Sequence, residues 1–345
     1  MRYQAPVVVK GEEATTMDVR ASKPKGPPAA LGGFPLGLGC MGMSGMYGAT
    51  DDAESIRTIQ EAIEHGVRLI DTGDFYGMGH NELLVGRAIE GRRERVLLSV
   101  KFGALRAPNG SWSGIDTRPA AVKNFLAYSL KRLGVEAVDI YRPARLDPAV
   151  PIEDTVGAIA ELVKAGYVRS IGLSEVGAET IRRAQSVHPI VDVQLEYSIA
   201  SRSPEAKIFP LLHELGISST LYGVFSRGLL TGSQPTGAAG DFRAHLPRFA
   251  AAHREHNEAV VRALHAFARE RGLTPGQLAL GWVRAREPGF VSLIGAKTVA
   301  QLRDALGALE RPLSQHDLHS LDAIEAIRGE RYGTEAMQHL DSERG

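Results

Sequence analysis

Short β-branched or apolar runs alternate with amphipathic stretches along most of the chain, from residue 35 onward. Within the amphipathic stretches, apolar side chains recur at helical spacing, as Ile56, Ile59 and Ile63 do. Regular strand–helix alternation is typical of a parallel sheet covered by helices. The apolar runs predict eight strands, at residues 36–40, 67–71, 96–101, 138–141, 168–174, 191–196, 217–222 and 290–294.

Eight strand–helix units favour a closed (β/α)8 TIM barrel, an α/β fold. Periodicity alone leaves an open doubly wound sheet as the alternative. Segment 223–256 interrupts the alternation, because it is rich in Gly, Arg and Pro and has no strand period. Loops of this length are usually lids or binding loops, so we expect a long functional loop after the seventh strand. Extra helices are expected at the C-terminal end.

No linker divides the chain, so we predict a single barrel domain over residues 31–345. Residues 1–30 mix charges with the sequence KPKGPP and lack the uninterrupted apolar centre of a secretory signal. We therefore expect residues 1–30 to form an N-terminal extension, either a tail or a partly ordered segment. Met17 is an alternative start of the protein.

Composition narrows the class of function. The chain has 345 residues, 40 Lys and Arg against 40 Asp and Glu, and a formal net charge of +0. A balanced charge gives no general reason to expect binding to nucleic acid or to a membrane surface. Cys40 is the single cysteine, which excludes an intrachain disulfide and fits a reducing, cytoplasmic location. We expect a small-molecule partner and no metal site, with monomer and homo-oligomer both open.

A glycine pattern at residues 37–42 fits G-x-G-x-x-G after a predicted strand. A dinucleotide-binding motif of the Rossmann type needs a helix that opens at the third glycine. Here Ser44, Gly45 and Gly48 follow, and the next helical pattern starts near residue 51. We therefore interpret the segment as a structural glycine loop.

Three polar residues fall near the carboxyl ends of neighbouring predicted strands, where barrel enzymes carry their catalytic groups. Asp71 and Lys101 end two strands, and Tyr76 follows Asp71 in the next loop. Hydride reduction of a carbonyl builds negative charge on oxygen, which a tyrosine can protonate. A neighbouring ammonium should lower the pKa of that tyrosine, and a carboxylate should hold the ammonium in place. Each residue alone has an ordinary structural explanation, but the three together favour catalysis.

Several stretches resemble the aldo-keto reductase superfamily, in the right order from about residue 35 to residue 321. The similar segments are LGLGCMGMS at 36–44, LIDTGDFYG at 69–77, SVKFG at 99–103 and KAGYVRSIGLS at 164–174. The resemblance implies a (β/α)8 barrel, an extended NADPH or NADP⁺ cofactor, and a catalytic tetrad that includes Asp71, Tyr76 and Lys101.

The fourth tetrad position departs from the family. It is usually a histidine after the fourth strand, but the sequence YRPARLDP at 141–148 places Ala144 there. The change removes a donor that would orient the substrate carbonyl. We expect a reshaped pocket in which water or a substrate hydroxyl fills the gap. Ala144 and Trp112 are the predicted substrate-pocket residues, and neither His80 nor Arg145 is assigned as a replacement.

The resemblance also implies a cofactor site. Ser174 and Gln194 would hold the nicotinamide carboxamide, and Tyr222 would stack on its face. Glu175 stands where asparagine is common. The pyrophosphate loop would comprise Gly223, Val224, Phe225, Ser226, Arg227 and Gly228. Backbone N–H groups and a helix N-terminus suit anions, so the 2′-phosphate and adenosine would contact Gly295, Ala296, Lys297, Gln301 and Asp304.

The sequence therefore predicts an oxidoreductase that reduces a ketone or aldehyde to an alcohol with NADPH, reversibly with NADP⁺, taking its proton from Tyr76. The first alternative is a cofactor-binding regulatory subunit of low activity, because some relatives resemble channel β-subunits. A second alternative, an isomerase or aldolase, would use Lys101 as a Schiff base.

Overall fold

A computed structural model describes residues 31–235, 241–338 and 340–343. Eight parallel strands close into a barrel with helices around it, which confirms the predicted (β/α)8 fold. The predicted extension at residues 1–30 lies outside the described residues. In barrel order the strands are β1 (Leu36–Gly39), β2 (Leu69–Gly73), β3 (Leu97–Phe102), β6 (Val138–Pro143), β7 (Val168–Ser174), β8 (Ile190–Glu196), β9 (Ser218–Tyr222) and β10 (Val291–Gly295).

A short antiparallel hairpin, β4 (Ala104–Arg106) with β5 (Trp112–Ile115), follows β3 and was not predicted. Its strands are three and four residues long and β5 is mostly exposed, so the apolar pattern carries little signal for it. The glycine segment after β1 forms a 3₁₀ turn, Met41–Ser44, before the first helix. The interpretation of that segment as a structural loop agrees with this geometry.

The helices that cover the barrel begin at residues suited to helix starts. Asp51 caps α1 by accepting from the Glu54 N–H at 2.6 Å, and Thr274 forms a capping box with Gln277 before α8. Their apolar faces pack on the strands and on neighbouring helices. The helices are α1 (Asp52–Glu64), α2 (His80–Ile89), α3 (Pro119–Leu133), α4 (Ile152–Lys164), α5 (Ala178–Val187), α6 (Pro204–Leu215), α7 (Ala251–Glu270), α8 (Pro275–Arg286), α9 (Val299–Gly307), α10 (Gln315–Asp322) and α11 (Thr334–Gln338).

In the described residues of the long segment after β9, 223–235 and 241–256, three short 3₁₀ turns occur, at Ser226–Thr231, Phe242–His245 and Pro247–Phe249. Helix α7 already begins at Ala251, so the last six residues of the predicted loop are helical. The start of α7 has the polar sequence AAHREH, so the spacing of apolar residues does not predict a helix there. No helix in the described part of the chain is long and apolar enough to span a membrane.

The barrel interior divides into an apolar and a polar layer. Leu31, Leu69, Ile140, Val291 and Leu293 form a buried cluster of their own. The carboxyl-terminal half of several strands carries buried polar side chains instead. Buried polar groups need partners, so the polar layer marks the end of the barrel where a site can form.

Gly86 on α2 lets α2 and α3 approach closely. A Cβ at this position would lie 2.7 Å from the carbonyl oxygen of Leu133, which is backbone and cannot move aside cheaply. We expect Gly86→Ala to lower the free energy of unfolding by about 1–3 kcal/mol, the usual cost of overpacking. The matched control is Gly157→Ala on α4, where no atom lies within 4 Å. That substitution should raise stability by roughly 0.5–1 kcal/mol. Urea unfolding of both variants measures the difference, and equal effects would contradict the packing argument.

Candidate active site

The centre of the polar layer is an ion pair between two adjacent strands. β2 and β3 pair so that Asp71 lies opposite Ser99 and Gly73 opposite Lys101. The Lys101 ammonium donates to one Asp71 oxygen, and side-chain exposures of 5% and 2% place both groups out of bulk water. The other Asp71 oxygen accepts from Ser99 Oγ at 2.8 Å and from Gln194 Nε2 at 2.9 Å. The carboxylate therefore has a partner at both oxygens and one orientation.

Tyr76 lies beside this ion pair, in the turn that follows β2. Its ring is buried, and Lys101 Nζ lies 5.3 Å from the ring centre. Phe75 packs edge-on against the ring, with 4.7 Å between centroids. The structure thus brings together the three residues predicted to be catalytic, although they come from two strands and a loop.

The electrostatics of Tyr76 differ from the sequence expectation. Burial, and then the nearby Asp71 carboxylate, raise the pKa of Tyr76 well above its usual value. The sequence argument expected the ammonium of Lys101 to lower it. The reason for the difference is that the phenolate would have to be buried, and that desolvation together with the Asp71 carboxylate outweighs the attraction of the ammonium. Tyr76 accordingly keeps its proton at neutral pH.

Ala144, at the missing histidine position, lines the wall beside Tyr76. Its N–H donates to the Phe102 carbonyl at 2.8 Å, and it clusters with Phe75, Tyr76 and Ala104. The position beside Tyr76 that a histidine usually occupies is therefore small and apolar.

The structure places Trp112 at the edge of the site and His80 at the start of α2. Trp112 is 59% exposed on β5, and its ring centre lies 5.6 Å from that of Phe75, at the outer edge of the site. The His80 ring nitrogens Nδ1 and Nε2 lie 3.0 Å from Ser44 Oγ and 3.3 Å from an Asp52 carboxylate oxygen, so this side chain connects the start of α2 to its neighbours.

The predicted nicotinamide residues lie on adjacent strands next to the ion pair. Ser174 and Gln194 are direct partners across β7 and β8, and Tyr222 lies opposite Glu196 on β9. The Ser174 and Tyr222 hydroxyls are buried without a hydrogen-bond partner among the described residues. Buried hydroxyls normally have partners. Unpaired donors beside the Asp71 ion pair fit a bound amide group such as a nicotinamide carboxamide.

The predicted pyrophosphate loop contains two residues in the left-handed backbone conformation, and its arginine is already paired with a carboxylate. Ser226 and Arg227 both adopt left-handed conformations, with φ of 46° and 56°. The Arg227 guanidinium contacts Glu196, at 2.7 Å and 3.2 Å to its two oxygens. Val224 is buried, whereas Gly223, Phe225 and Gly228 are partly exposed. The loop backbone can face a ligand, while the Arg227 charge is shared with Glu196.

The predicted 2′-phosphate region is only partly assembled. Gly295 is exposed and Ala296 buried at the end of β10, and Lys297 Nζ donates to the Tyr47 carbonyl at 3.3 Å. Gln301 accepts from the Lys297 N–H at 2.8 Å. The Asp304 carboxylate accepts instead from Thr274 and Gln277 before and within α8. Lys297 and Gln301 are therefore hydrogen-bonded neighbours, whereas the Asp304 carboxylate points towards α8.

Comparison with known proteins agrees with this geometry. The profile of the Aldo/keto reductase family matches residues 35–326. The chain belongs to the aldo/keto reductase family. The probable aldo-keto reductase 1 of Glycine max is 38% identical over 293 residues, which cover 83% of this chain and 84% of that protein.

Solved structures of aldo/keto reductases share the fold. The glycerol dehydrogenase of Gluconobacter oxydans is 26% identical with a TM-score of 0.76, over 89% of this chain and 93% of that one. An aldo/keto reductase of Klebsiella pneumoniae, solved in complex with NADP and acetate, is 25% identical with a TM-score of 0.67, over 87% and 94% of the two chains.

One feature of this aldo/keto reductase was missed from the sequence, namely a buried charge cluster at the barrel mouth. Glu175 adopts a φ of 55° and pairs with Arg331 from the segment before α11, at 2.6 Å and 3.0 Å. Its carboxylate also accepts from the Glu196 N–H and from Ser342. Burial opposes ionisation, but Arg331 outweighs it and lowers the pKa of Glu175 to about 2. The only sequence signal was Glu175 itself, in a place where asparagine is common.

The Glu175–Arg331 pair should stabilise the C-terminal segment in a pH-dependent way. Because the folded pKa of Glu175 lies below its usual 4.5, the stabilisation is present above that value and is lost as pH falls towards about 2. We expect Glu175→Gln to cost about 1.5–3 kcal/mol at pH 7, because Arg331 loses its bidentate carboxylate partner but keeps Glu343 at 2.7 Å and Glu196 at 3.6 Å. As the pH is lowered from 7 to 3, the melting temperature should then fall less in Glu175→Gln than in the unaltered protein.

The control for this prediction is Glu214→Gln, which breaks the exposed pair of Glu214 with Arg182. Exposed pairs contribute roughly 0–1 kcal/mol, so this variant should melt almost normally. Parallel melting curves for both Glu variants would show that the Glu175 pair is unimportant.

Proposed function

We propose that this aldo/keto reductase reduces a ketone or aldehyde to the alcohol with NADPH, and runs in reverse when NADP⁺ predominates. The observation that carries the proposal is the buried Asp71–Lys101 ion pair beside the protonated Tyr76. The NADP in the Klebsiella pneumoniae relative supports the choice of cofactor. A screen of ketones, sugar aldehydes, quinones and pyridoxal, followed by NADPH absorbance, tests it directly.

The protein's own residues account for the proton half of the reaction. NADPH, when bound, supplies a hydride to the carbonyl carbon. Tyr76 gives its phenolic proton to the carbonyl oxygen, and burial ensures that this proton is present at neutral pH. Lys101 provides a positive charge close to the phenolate that forms, and Asp71 holds Lys101 in place. The buried setting strengthens both effects because water is excluded.

The residues proposed to hold the cofactor follow from the unpaired groups around this centre. Ser174 and Gln194 would bind the carboxamide, because one has a free buried hydroxyl and the other an amide beside Asp71. Tyr222 would flank the ring. The backbone of residues 223–228 would face the pyrophosphate, and Lys297 would meet the 2′-phosphate.

The intact proton-donating arrangement favours an enzyme over a regulatory subunit. A subunit that only bound cofactor would gain nothing from burying an ion pair next to a tyrosine, because burying charges is costly. Ala144 alone does not disturb the three other tetrad positions. The screen above separates the two functions, since a regulatory subunit would bind NADPH without consuming it.

The role of Tyr76 can be tested by removing one oxygen. We expect Tyr76→Phe to leave the NADPH dissociation constant nearly unchanged and to lower kcat by about 10²–10⁴-fold, the usual contribution of a positioned proton donor. Tyr128→Phe serves as the control, because Tyr128 is an exposed tyrosine on α3 with 58% of its surface accessible. Near-normal turnover in Tyr76→Phe would remove Tyr76 from the mechanism.

Lys297 should set the preference for NADPH over NADH. A charge-assisted contact with the 2′-phosphate contributes about 1.5–3 kcal/mol, or roughly ten- to a hundredfold in affinity. We expect Lys297→Ala to weaken NADPH binding by that factor and to leave NADH binding almost unchanged. Fluorescence quenching gives both dissociation constants, with Lys164→Ala at the exposed end of α4 as the control. An undiminished preference for NADPH in Lys297→Ala would refute the assignment.

A further inference from the structure

Arg145 follows Ala144 directly and lies at the mouth of the barrel, partly shielded from water. Its guanidinium donates to the Ala144 carbonyl at 2.6 Å and lies 3.4 Å from the Tyr332 hydroxyl. The Ala144 side chain belongs to the same buried cluster as Tyr76. Arg145 is therefore next to the reacting centre rather than on the outer surface.

The other arginines of this region have carboxylate partners. Arg227 and Arg248 contact Glu196, and Arg331 contacts Glu175. The same Arg331 also contacts Glu343 at 2.7 Å, so three guanidiniums face three carboxylates.

Arg145 is the exception in this balance. No carboxylate of the described residues lies within 4 Å of it. Burial disfavours the charged Arg145 guanidinium, and the Glu175 carboxylate, which favours it from beyond ion-pair distance, is already paired with Arg331. The four guanidiniums of this region therefore exceed its three carboxylates by one positive charge. Arg145 retains most of its five N–H donors for another group. A planar guanidinium fork matches a carboxylate with two parallel hydrogen bonds.

We infer that Arg145, with the Tyr332 hydroxyl beside it, binds a carboxylate carried by the substrate. The inference rests on the proposed reductase function and names its substrate class: carbonyl compounds that bear a carboxylate. One unpaired guanidinium balances one negative charge, which favours a carboxylate over a phosphate dianion. Tyr332 is suited to assist, because it lies among Arg145, Arg227 and Arg331, with the Arg227 guanidinium 4.7 Å from its ring centre.

The test compares acids with their methyl esters, which differ mainly in charge. Two pairs sample two spacings: phenylglyoxylate with methyl phenylglyoxylate, and 4-carboxybenzaldehyde with methyl 4-formylbenzoate. The unaltered enzyme should show a higher kcat/KM for the acid in at least one pair. Arg145→Met should lower the acid-to-ester ratio of kcat/KM by roughly ten- to a hundredfold, the loss of a charge-assisted contact. Arg145→Lys, which keeps the charge without the planar fork, should recover part of that ratio.

Arg182→Met is the matched control, because it removes the same charge from an exposed ion pair on α5 and should leave the ratio unchanged. A smaller loss of the ratio, about three- to tenfold, is expected for Tyr332→Phe, which keeps the ring. An acid-to-ester ratio that Arg145→Met does not move overturns the inference. The inference is also overturned if the ratio is unmoved while the NADPH dissociation constant rises tenfold or more, because Arg145 would then bind the cofactor.

A binding measurement separates this inference from the proposed reaction. Benzoate binding to the enzyme loaded with NADP⁺, followed by tryptophan fluorescence, needs no turnover. We expect the benzoate dissociation constant to rise about tenfold or more in Arg145→Met. Equal benzoate affinity in the two proteins overturns the carboxylate site even if every ester is reduced. Failure to reduce any carbonyl compound would instead count against the proposed function.

Discussion

The arrangement around Tyr76, the proposed proton donor, depends on a buried arginine, Arg142, that connects β6 to β3 and β8. The Arg142 guanidinium donates to Asp192 at 2.5 Å and to Ser99 Oγ at 3.0 Å, and Ser99 donates to Asp71. Arg142 and Asp192 are fully buried, so losing either partner would leave a charge unpaired at a cost of several kcal/mol. This requirement fixes the Asp71 carboxylate, and through it Lys101, next to Tyr76.

Strand β8 connects the separate parts of the site through alternate residues. Asp192, Gln194 and Glu196 point to the same side of the strand, because side chains alternate along a β-strand. The first binds Arg142, the second binds Asp71, and the third binds Arg227 from the loop after β9. One short strand therefore supports the Asp71–Lys101 ion pair, the predicted carboxamide position and the mouth of the barrel.

The sequence predicted the fold and the proximity of Asp71, Tyr76 and Lys101 because both depend on local patterns. Eight apolar runs specify the strands, and Asp71, Tyr76 and Lys101 follow strand ends that must meet at one edge. The cluster around Glu175 could not be predicted, since Arg331 is 156 residues away and lies in a segment without periodic pattern. The partners of Asp304 were equally hidden, because helix packing rather than helix sequence turns its carboxylate towards Thr274.

The replacement of the tetrad histidine by Ala144 makes physical sense together with Arg145. A histidine would donate to the reacting oxygen itself, whereas Ala144 leaves an apolar wall beside Tyr76, and the guanidinium of the next residue, Arg145, has no carboxylate within 4 Å among the described residues. Contacts with a remote charged group of the substrate can orient a carbonyl as well as a direct donor does, because binding energy away from the reacting atoms can be used for positioning. On the inferred role of Arg145, the site would exchange a general carbonyl donor for recognition of a substrate carboxylate.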